Sequence, residues 1–375
     1  MRILALEPYH GGSHKAFLDG WSSVSGHQWT ILGLPAFKWK WRMHHAALTL
    51  AGMTAERAAA GERWDIIFCS DMLNLAEFRG LAPAAVRDLP AVIYFHENQL
   101  TYPVRHPDER DYHYAMINFL SACAAGRVWF NSLYHLDAFY EALAPFLRGM
   151  ADFQPLEEVA RVRGRSVARH PGIGQLPRRT GRPAGPLRIL WAARWEHDKN
   201  PDDFFAALRG ARRQGAVFRL DVVGQSFRDR PEVFDAARTE FADCIDRWGY
   251  LASRAEYEAA LTAADIFVST ADHEFFGLSA VEAAAAGAIP LLPMRLAYPE
   301  VFGPGAPGGS PRYFYDGTVS GLAAAIRDYA VLAGANTLAD AAPPAADMMR
   351  ARFGWDRLAP IYDAELAAIA GGRGR

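Results

Sequence analysis

The sequence predicts an α/β protein of two doubly wound domains, and three observations carry that expectation. Short apolar runs alternate with helix-period patterns along the chain, the sequence form of parallel sheets covered by helices. A charged, Gly- and Pro-rich passage, RHPGIGQLPRRTGRPAGP from Arg169 to Pro186, breaks that rhythm, which then restarts. With 375 residues, 51% of them hydrophobic, the chain has material for two cores of ordinary size. Two such sheets facing each other leave a cleft at the C-terminal ends of their strands, where sheets of this kind bind ligands.

In the first half the strand candidates are Ile3–Leu6, Trp29–Leu32, Ile66–Cys69, Ala91–Phe95 and Val128–Asn131. Each is a short aliphatic or aromatic run without alternation, as expected for strands covered on both faces. They define an N-terminal domain over 1–170, followed by a linker over 171–186 where a hinge is expected. The second domain, 187–354, has strand candidates Leu187–Ala192, Phe218–Val223, Ile266–Ser269 and Ile289–Leu292, with short additions at Arg247–Tyr250 and Tyr313–Tyr315. The last pattern, WDRLAPIYDAELAAIA from Trp355 to Ala370, is an amphipathic helix despite Pro360. The segment 355–375 is expected to pack back towards the N-terminal domain.

Composition narrows the function classes. Cys69, Cys123 and Cys244 are far apart and form neither a CxxC pair nor a disulfide framework, which suits a reducing cytoplasm. No apolar run approaches the roughly 20 residues that span a bilayer, so no stable membrane association is expected. A formal net charge of -2 gives no global positive field for a long nucleic acid. Local basic patches remain: Lys38, Lys40, Arg42, His44 and His45 interleaved with Trp39 and Trp41, and a run of arginines from Arg161 to Arg182 that reads as a solvated linker or an RNA contact. A dinucleotide-binding dehydrogenase is excluded, because GGSHKAF lacks the G-x-G-x-x-G spacing. The sequence leaves oligomeric state open.

The stretch HEFFGLSAVEAAAAGAIP, His273–Pro290, carries the first chemical signal. It reads as a loop leaving the strand Ile266–Ser269, then a helix that starts at Leu278 or Ser279 and ends on Gly287. A helix N-terminus presents N–H groups and a positive dipole end, so an anion such as a diphosphate is favoured beside Phe276, Gly277 and Leu278. Glu282, in the first two turns, is placed to accept hydrogen bonds from the ribose of a nucleotide. Glu274, on the turn, is placed to accept them from whatever the diphosphate carries.

Glu274 through Glu282 resembles the E-x7-E motif of retaining, sugar-nucleotide-dependent glycosyltransferases of the GT-B fold, two Rossmann-like domains facing across a cleft. In that group a basic pair precedes the motif, and AARWEHDKN supplies Arg194 and Lys199 at the matching turn, where they would meet the diphosphate. Gly11 and Gly12 in EPYHGGSHK would let backbone approach the donor closely. His96, in YFHENQLTYP, matches a histidine that contacts the donor sugar in many relatives. The strings EPYHGGSHK, LPAFKWKWRMHHAAL, CSDMLNLAEFRGL, YFHENQLTYP and FNSLYHLDAF resemble, more narrowly, the N-terminal domain of tRNA-queuosine mannosyltransferases over most of 1–170.

The resemblance implies transfer of a hexose, mannose from GDP-mannose, onto queuosine in a tRNA anticodon, with His96 and Glu274 as catalytic residues. It implies no cofactor and no metal; Asp202-Asp203 reads as the start of a helix rather than a metal-binding pair. Ser13, His14, Lys38, Trp39, Lys40, Trp41, Arg42, Glu97 and Asn98 become candidates for the acceptor, the cations meeting phosphates and a tryptophan stacking on a splayed base. The same tryptophans could instead pack in the core beneath snorkelling lysines. Open alternatives are a hexosyltransferase with a glycan, lipid or small-molecule acceptor, and a non-catalytic RNA- or glycan-binding relative.

Overall fold

The structure, a computed structural model, describes residues 1–104, 111–227, 230–338 and 345–372. The chain divides into two units, Met1–Gly172 with Trp355–Arg375, and Ile173–Gly354. The last three residues of the expected C-terminal segment lie outside the described residues.

The first unit holds β1 (Arg2–His10), β2 (Gln28–Pro35), β3 (Ile66–Ser70), β4 (Ala91–Phe95), β5 (Arg127–Phe130) and β6 (Ser166–Ala168). They form one sheet in the order β2-β1-β3-β4-β5-β6, every pair parallel. Alternate residues of one strand enter different cores: Leu4 and Leu6 join one cluster while Ile3 and Ala5 join another. That is why these strands read as unbroken apolar runs. The helix Trp355–Gly371 completes the second of these cores, with Trp355, Tyr362 and Leu366 packed beside Phe17, Trp21 and Trp129. Its Asp363 accepts hydrogen bonds from Trp21 Nε1 (2.9 Å), the Ser25 hydroxyl (2.8 Å) and the Gly26 N–H (2.7 Å).

The second unit holds β7 (Leu187–Ala192), β8 (Phe218–Val223), β9 (Ile245–Gly249), β10 (Ile266–Val268), β11 (Ile289–Pro293) and β12 (Phe314–Tyr315), ordered β12-β11-β10-β7-β8-β9 and again parallel. The helix Leu278–Ala286 lies in its core with Ala283, Ala284, Ala285 and Ala286 fully buried. Alanine suits a helix that must approach strands and other helices closely.

Three expectations need adjustment. β6 is a short, half-buried strand of Ser, Val and Ala, too weak a pattern to read from sequence. β9 begins at Ile245, two residues before the expected start. The stretch read as a linker packs into the second unit: Ile173 and Leu176 are buried in its core, Arg179 and Arg182 pair with the buried Asp265 at 2.6 and 3.1 Å, and Arg178 pairs with Asp347 at 2.7 Å. Asp265 also accepts the Arg188 N–H at 2.9 Å, so these arginines anchor the start of β7 rather than present a basic face.

Candidate active site

In each unit the strand order reverses beside the first strand, between β1 and β3 and between β7 and β10. A doubly wound sheet opens its binding crevice at that point, beyond the C-terminal ends of the strands. Gly11 to His14 follow β1, Arg194 and Lys199 follow β7 and Glu274 to Leu278 follow β10, while Lys38 to Arg42 follow β2 and His96 to Asn98 follow β4.

In the second unit Lys199 closes a short 3-10 turn, His197–Lys199, after β7. Its ammonium donates to the His273 carbonyl at 2.7 Å and meets Asp198 at 3.1 Å and Glu274 at 3.5 Å. Burial works against its charge, but Glu274 and Asp198 outweigh burial and raise its pKa above the usual lysine value. Glu274 is subject to the same balance in reverse. Burial would raise its pKa, yet Lys199, His273 and the backbone N–H groups of Phe276 and Gly277 hold it below the usual glutamate value. Burial, reinforced by Lys199, lowers His273 to about 4, so its ring is neutral. The two loops are tied by the Asp198 carbonyl, which accepts the N–H groups of Asp272 (2.9 Å) and His273 (3.3 Å), and by Thr270 donating to the Lys199 carbonyl at 2.9 Å.

Gly277 is the N-cap of the helix Leu278–Ala286 at φ 88 and ψ 49, and no side chain caps that end. Glycine adopts this left-handed turn without strain, and the first N–H groups of a helix have no partner within it. Five residues on, Glu282 is buried, with Oε2 accepting from the Tyr257 hydroxyl (2.9 Å) and Oε1 from Arg254 (3.1 Å). Burial raises its pKa despite both donors. Each oxygen retains a second lone pair for a ligand hydroxyl. Arg194 lies nearer the surface and pairs with Glu196 at 3.2 Å. Asp202 and Asp203 fall in the first turn of the helix Pro201–Arg213.

In the first unit Gly11 and Gly12 open the helix Gly12–Ser22 just beyond β1, with Ser13 exposed and His14 turned inward. His14 Nδ1 lies 3.2 Å from Glu7 Oε2, and its ring stacks on His96 with centroids 4.0 Å apart. Burial opposes a charge on His14, but Glu7, with Asp71 and Glu97, outweighs it and raises the pKa to about 9. Burial and the neighbouring His14 push His96 well below the usual histidine value. Asp71 is fully buried and is pushed up to about 8 by burial, then by Glu97 and Glu7. Glu7, His14 and His96 offer ligand atoms within 4.8 Å of one another. Glu7 already holds Nδ1 of His14, and the rings lie at 31°, closer to face-to-face than to converging on one point, so the group is built as an ion pair with a stacked neutral ring.

The acceptor candidates divide. Phe37 and Trp41 are 62% and 61% exposed, beside exposed Lys38 and Lys40 at the start of the helix Trp39–Ala59. Trp39 is half-buried against Tyr114, and Arg42 is committed to the Pro35 carbonyl at 2.9 Å and to His45. Core packing therefore describes Trp39 and not Trp41. Asn98 is a correction: it is fully buried, and its amide serves Thr101, His135 and the N–H groups of Leu100 and Thr101, so it shapes the loop instead of reaching a ligand. Glu97, half-buried, accepts from Gln99 at 2.9 Å. Sequence reasoning missed Glu7, Asp71, Asp198, His273 and Tyr257. Asp71 directly follows β3, Glu7 follows the apolar run Ile3–Leu6 within β1, and Asp198 sits beside Lys199 in the turn after β7, which was the available signal.

Residues 2–173 match the N-terminal family of tRNA-queuosine alpha-mannosyltransferases, and residues 173–330 match the glycosyl transferases group 1 family. The chain is 35% identical over 314 residues to a Drosophila melanogaster protein named tRNA-queuosine alpha-mannosyltransferase, covering 80% of this chain and 81% of that one. It is 32% identical over 218 residues to a Mycobacterium tuberculosis glycogen synthase, 57% of this chain and 47% of that protein. Similar solved folds include Anabaena HepE in complex with UDP and glucose (TM-score 0.67, 16% identity, 98% of this chain and 100% of that one). Sucrose-phosphate synthase from Thermosynechococcus elongatus is comparable (TM-score 0.68, 16% identity, 98% and 99%). No helix among the described residues is long and apolar enough to cross a membrane.

Proposed function

The chain belongs to the tRNA-queuosine alpha-mannosyltransferase family, and on that premise we propose that it transfers mannose from GDP-mannose to queuosine in a tRNA anticodon, retaining the anomeric configuration. The observation that carries this reading is the 35% identity to the fly protein, which at 80% of the chain must include residues of both units. The geometry of the second unit supports a nucleotide-sugar donor. Arg194, Lys199 and the helix start beside Phe276, Gly277 and Leu278 hold the diphosphate, Glu282 the ribose, and Glu274 the hydroxyls of the hexose.

His96 supports positive charge on the sugar as the glycosidic bond lengthens, while Gly11 and Gly12 admit the donor close to the backbone. The departing phosphate oxygen takes the acceptor's proton, so no side-chain base and no metal enters the reaction. Lys38 and Lys40 meet phosphates of the anticodon loop, and Trp41 stacks on one of its bases. The working compartment is one that holds tRNA, the cytoplasm in this reading.

The test offers GDP-mannose, UDP-glucose and ADP-glucose separately with queuosine-containing tRNA, and reads the modified nucleoside by mass. One added hexose from GDP-mannose is expected. Addition from UDP-glucose or ADP-glucose but not from GDP-mannose, or from none of the donors, overturns the proposal.

A further inference from the structure

A buried pair in the first unit has no part in the reaction described above. Glu7 is 1% exposed. One of its oxygens is held by the Tyr9 N–H (2.8 Å) and the Ser70 hydroxyl (2.9 Å), which leaves the other to His14 Nδ1 at 3.2 Å. Burying a carboxylate is costly unless it is hydrogen-bonded and paired, and His14 is the side chain placed to pair with Glu7. His14 lies against His96 at 4.0 Å, while Tyr94 and Phe17 close other sides of that ring at 4.6 and 5.2 Å. The backbone of His96 is pinned at both ends, its N–H donating to Asp71 and its carbonyl accepting from Asn131, each at 2.8 Å.

We propose that the Glu7–His14 ion pair is a positioning device for His96: it fixes a positive charge against that ring, so that His96 stays uncharged and held in place while positive charge develops on the sugar. The role of His96 towards the sugar rests on the function proposed above; the ion pair does not. Other groups face the same rings. Asp71, beyond β3, and Glu97, beside His96, reinforce the charge on His14, and His135, from the helix Leu133–Arg148, joins His14 in disfavouring a proton on His96. Tyr94, from β4, stays neutral because burial pushes its pKa well above the usual value. With His14 raised to about 9 and His96 lowered well below 6.5, the pair holds one charge state across the interval between them.

Glu7→Gln tests this with little change of shape, since its amide oxygen can still accept from Tyr9 and Ser70 and its amide nitrogen can donate to His14 Nδ1. Histidine labelled at Cε1 reads each titration by NMR in the whole protein without substrate. In the wild type His14 should titrate near 9. In Glu7→Gln it should titrate below its ordinary value, and His96 should gain a proton at a pH higher by about one unit or more, because a unit charge about 4 Å away in a medium of dielectric about 20 is worth more than that. The acid limb of kcat for hexose transfer should move up with it, with KM for the donor little changed. His14→Phe keeps a stacked ring without charge and should shift His96 in the same direction, which covers a Glu7 variant that fails to fold.

A neutral His14 at pH 7.5 in the wild type, or an unmoved His96 in both variants, overturns the ion-pair device. A shifted His96 with an unmoved acid limb overturns its role in the reaction. A wild-type protein that transfers no hexose to queuosine defeats the functional reading, and with it that role, while the NMR titrations still decide the ion pair.

Discussion

Replacing Gly277 with alanine should strike the donor site and leave the rest of the second unit standing. At φ 88 the backbone is left-handed, and a Cβ would lie 2.7 Å from Cε1 of Tyr298. That ring cannot retreat cheaply: it is 2% exposed and its hydroxyl lies 2.7 Å from the Ser269 hydroxyl. The backbone costs an alanine about 1–2 kcal/mol and the overpacking about 1–3 kcal/mol, so the native turn becomes unfavourable by about 2–5 kcal/mol. The turn can relax instead, swinging the N–H groups of Gly277 and Leu278 off the diphosphate. One charge-assisted hydrogen bond of about 1.5–3 kcal/mol is then lost, about 10- to 100-fold in nucleotide affinity. Calorimetric titration with GDP reads this directly. Gly287→Ala is the matched control, because Gly287 is also left-handed, at φ 116, but caps the other end of the same helix. Thermal stability should fall in both variants and nucleotide affinity only in Gly277→Ala. Equal affinity losses, or none in Gly277→Ala, would refute the placing of the diphosphate at this turn.

Lys199→Ala and Glu274→Gln should each lower kcat/KM by on the order of 100-fold or more while far-UV circular dichroism is unchanged, since the proposed reaction places Lys199 on the leaving diphosphate and Glu274 on the hexose; undiminished turnover in either sinks the assignment. Trp41→Ala should leave stability within about 0.5 kcal/mol, the residue being exposed, yet weaken tRNA binding by about 1–3 kcal/mol if it stacks on a base; filter binding at fixed salt measures it. His273 is neutral in the folded protein, with its pKa lowered from 6.5 to about 4, so the stability tied to its neutral form is present above 6.5 and is lost as pH falls from there to about 4. His273→Gln should therefore show a smaller drop in Tm between pH 7 and 5 than the wild type.

Much of the second unit was legible because its signals are local. Glu274, Gly277 and Glu282 lie on one strand-loop-helix passage, and the helix ends at the glycine the sequence marks. The partners that set their chemistry are not local. Lys199 meets Glu274 across 75 residues of chain, and Glu282 receives Tyr257 and Arg254 from a different helix, contacts that no spacing announces. The first unit shows the same limit more sharply. Glu7 was within a quoted string, but its meaning depends on Ser70, 63 residues away, and on a helix turning His14 inward. Asn98 misled for the converse reason: a polar residue in a loop between the polar Glu97 and Gln99 looks available until His135 and Thr101 claim its amide.

The helix Leu278–Ala286 also has a weak start that fits the proposed nucleotide site. An N-cap of Ser, Asp or Asn would stabilise it by about 0.5–2 kcal/mol relative to alanine. The chain uses such caps elsewhere, at Asn74, Asp111, Ser132, Ser253 and Thr318, so the preference is available to this sequence. Here a glycine stands at the N-cap and no acid occupies the first turn. A capping oxygen would accept the very N–H groups that an incoming phosphate needs, and an acid in that turn would repel it. The carboxylate drawn towards this end among the described residues is Glu274, held by Lys199 and accepting the N–H of Phe276 outside the helix. In the proposed function, leaving the helix start uncapped keeps its dipole for the donor's diphosphate, and the stability forgone at that turn would be returned when that anion binds.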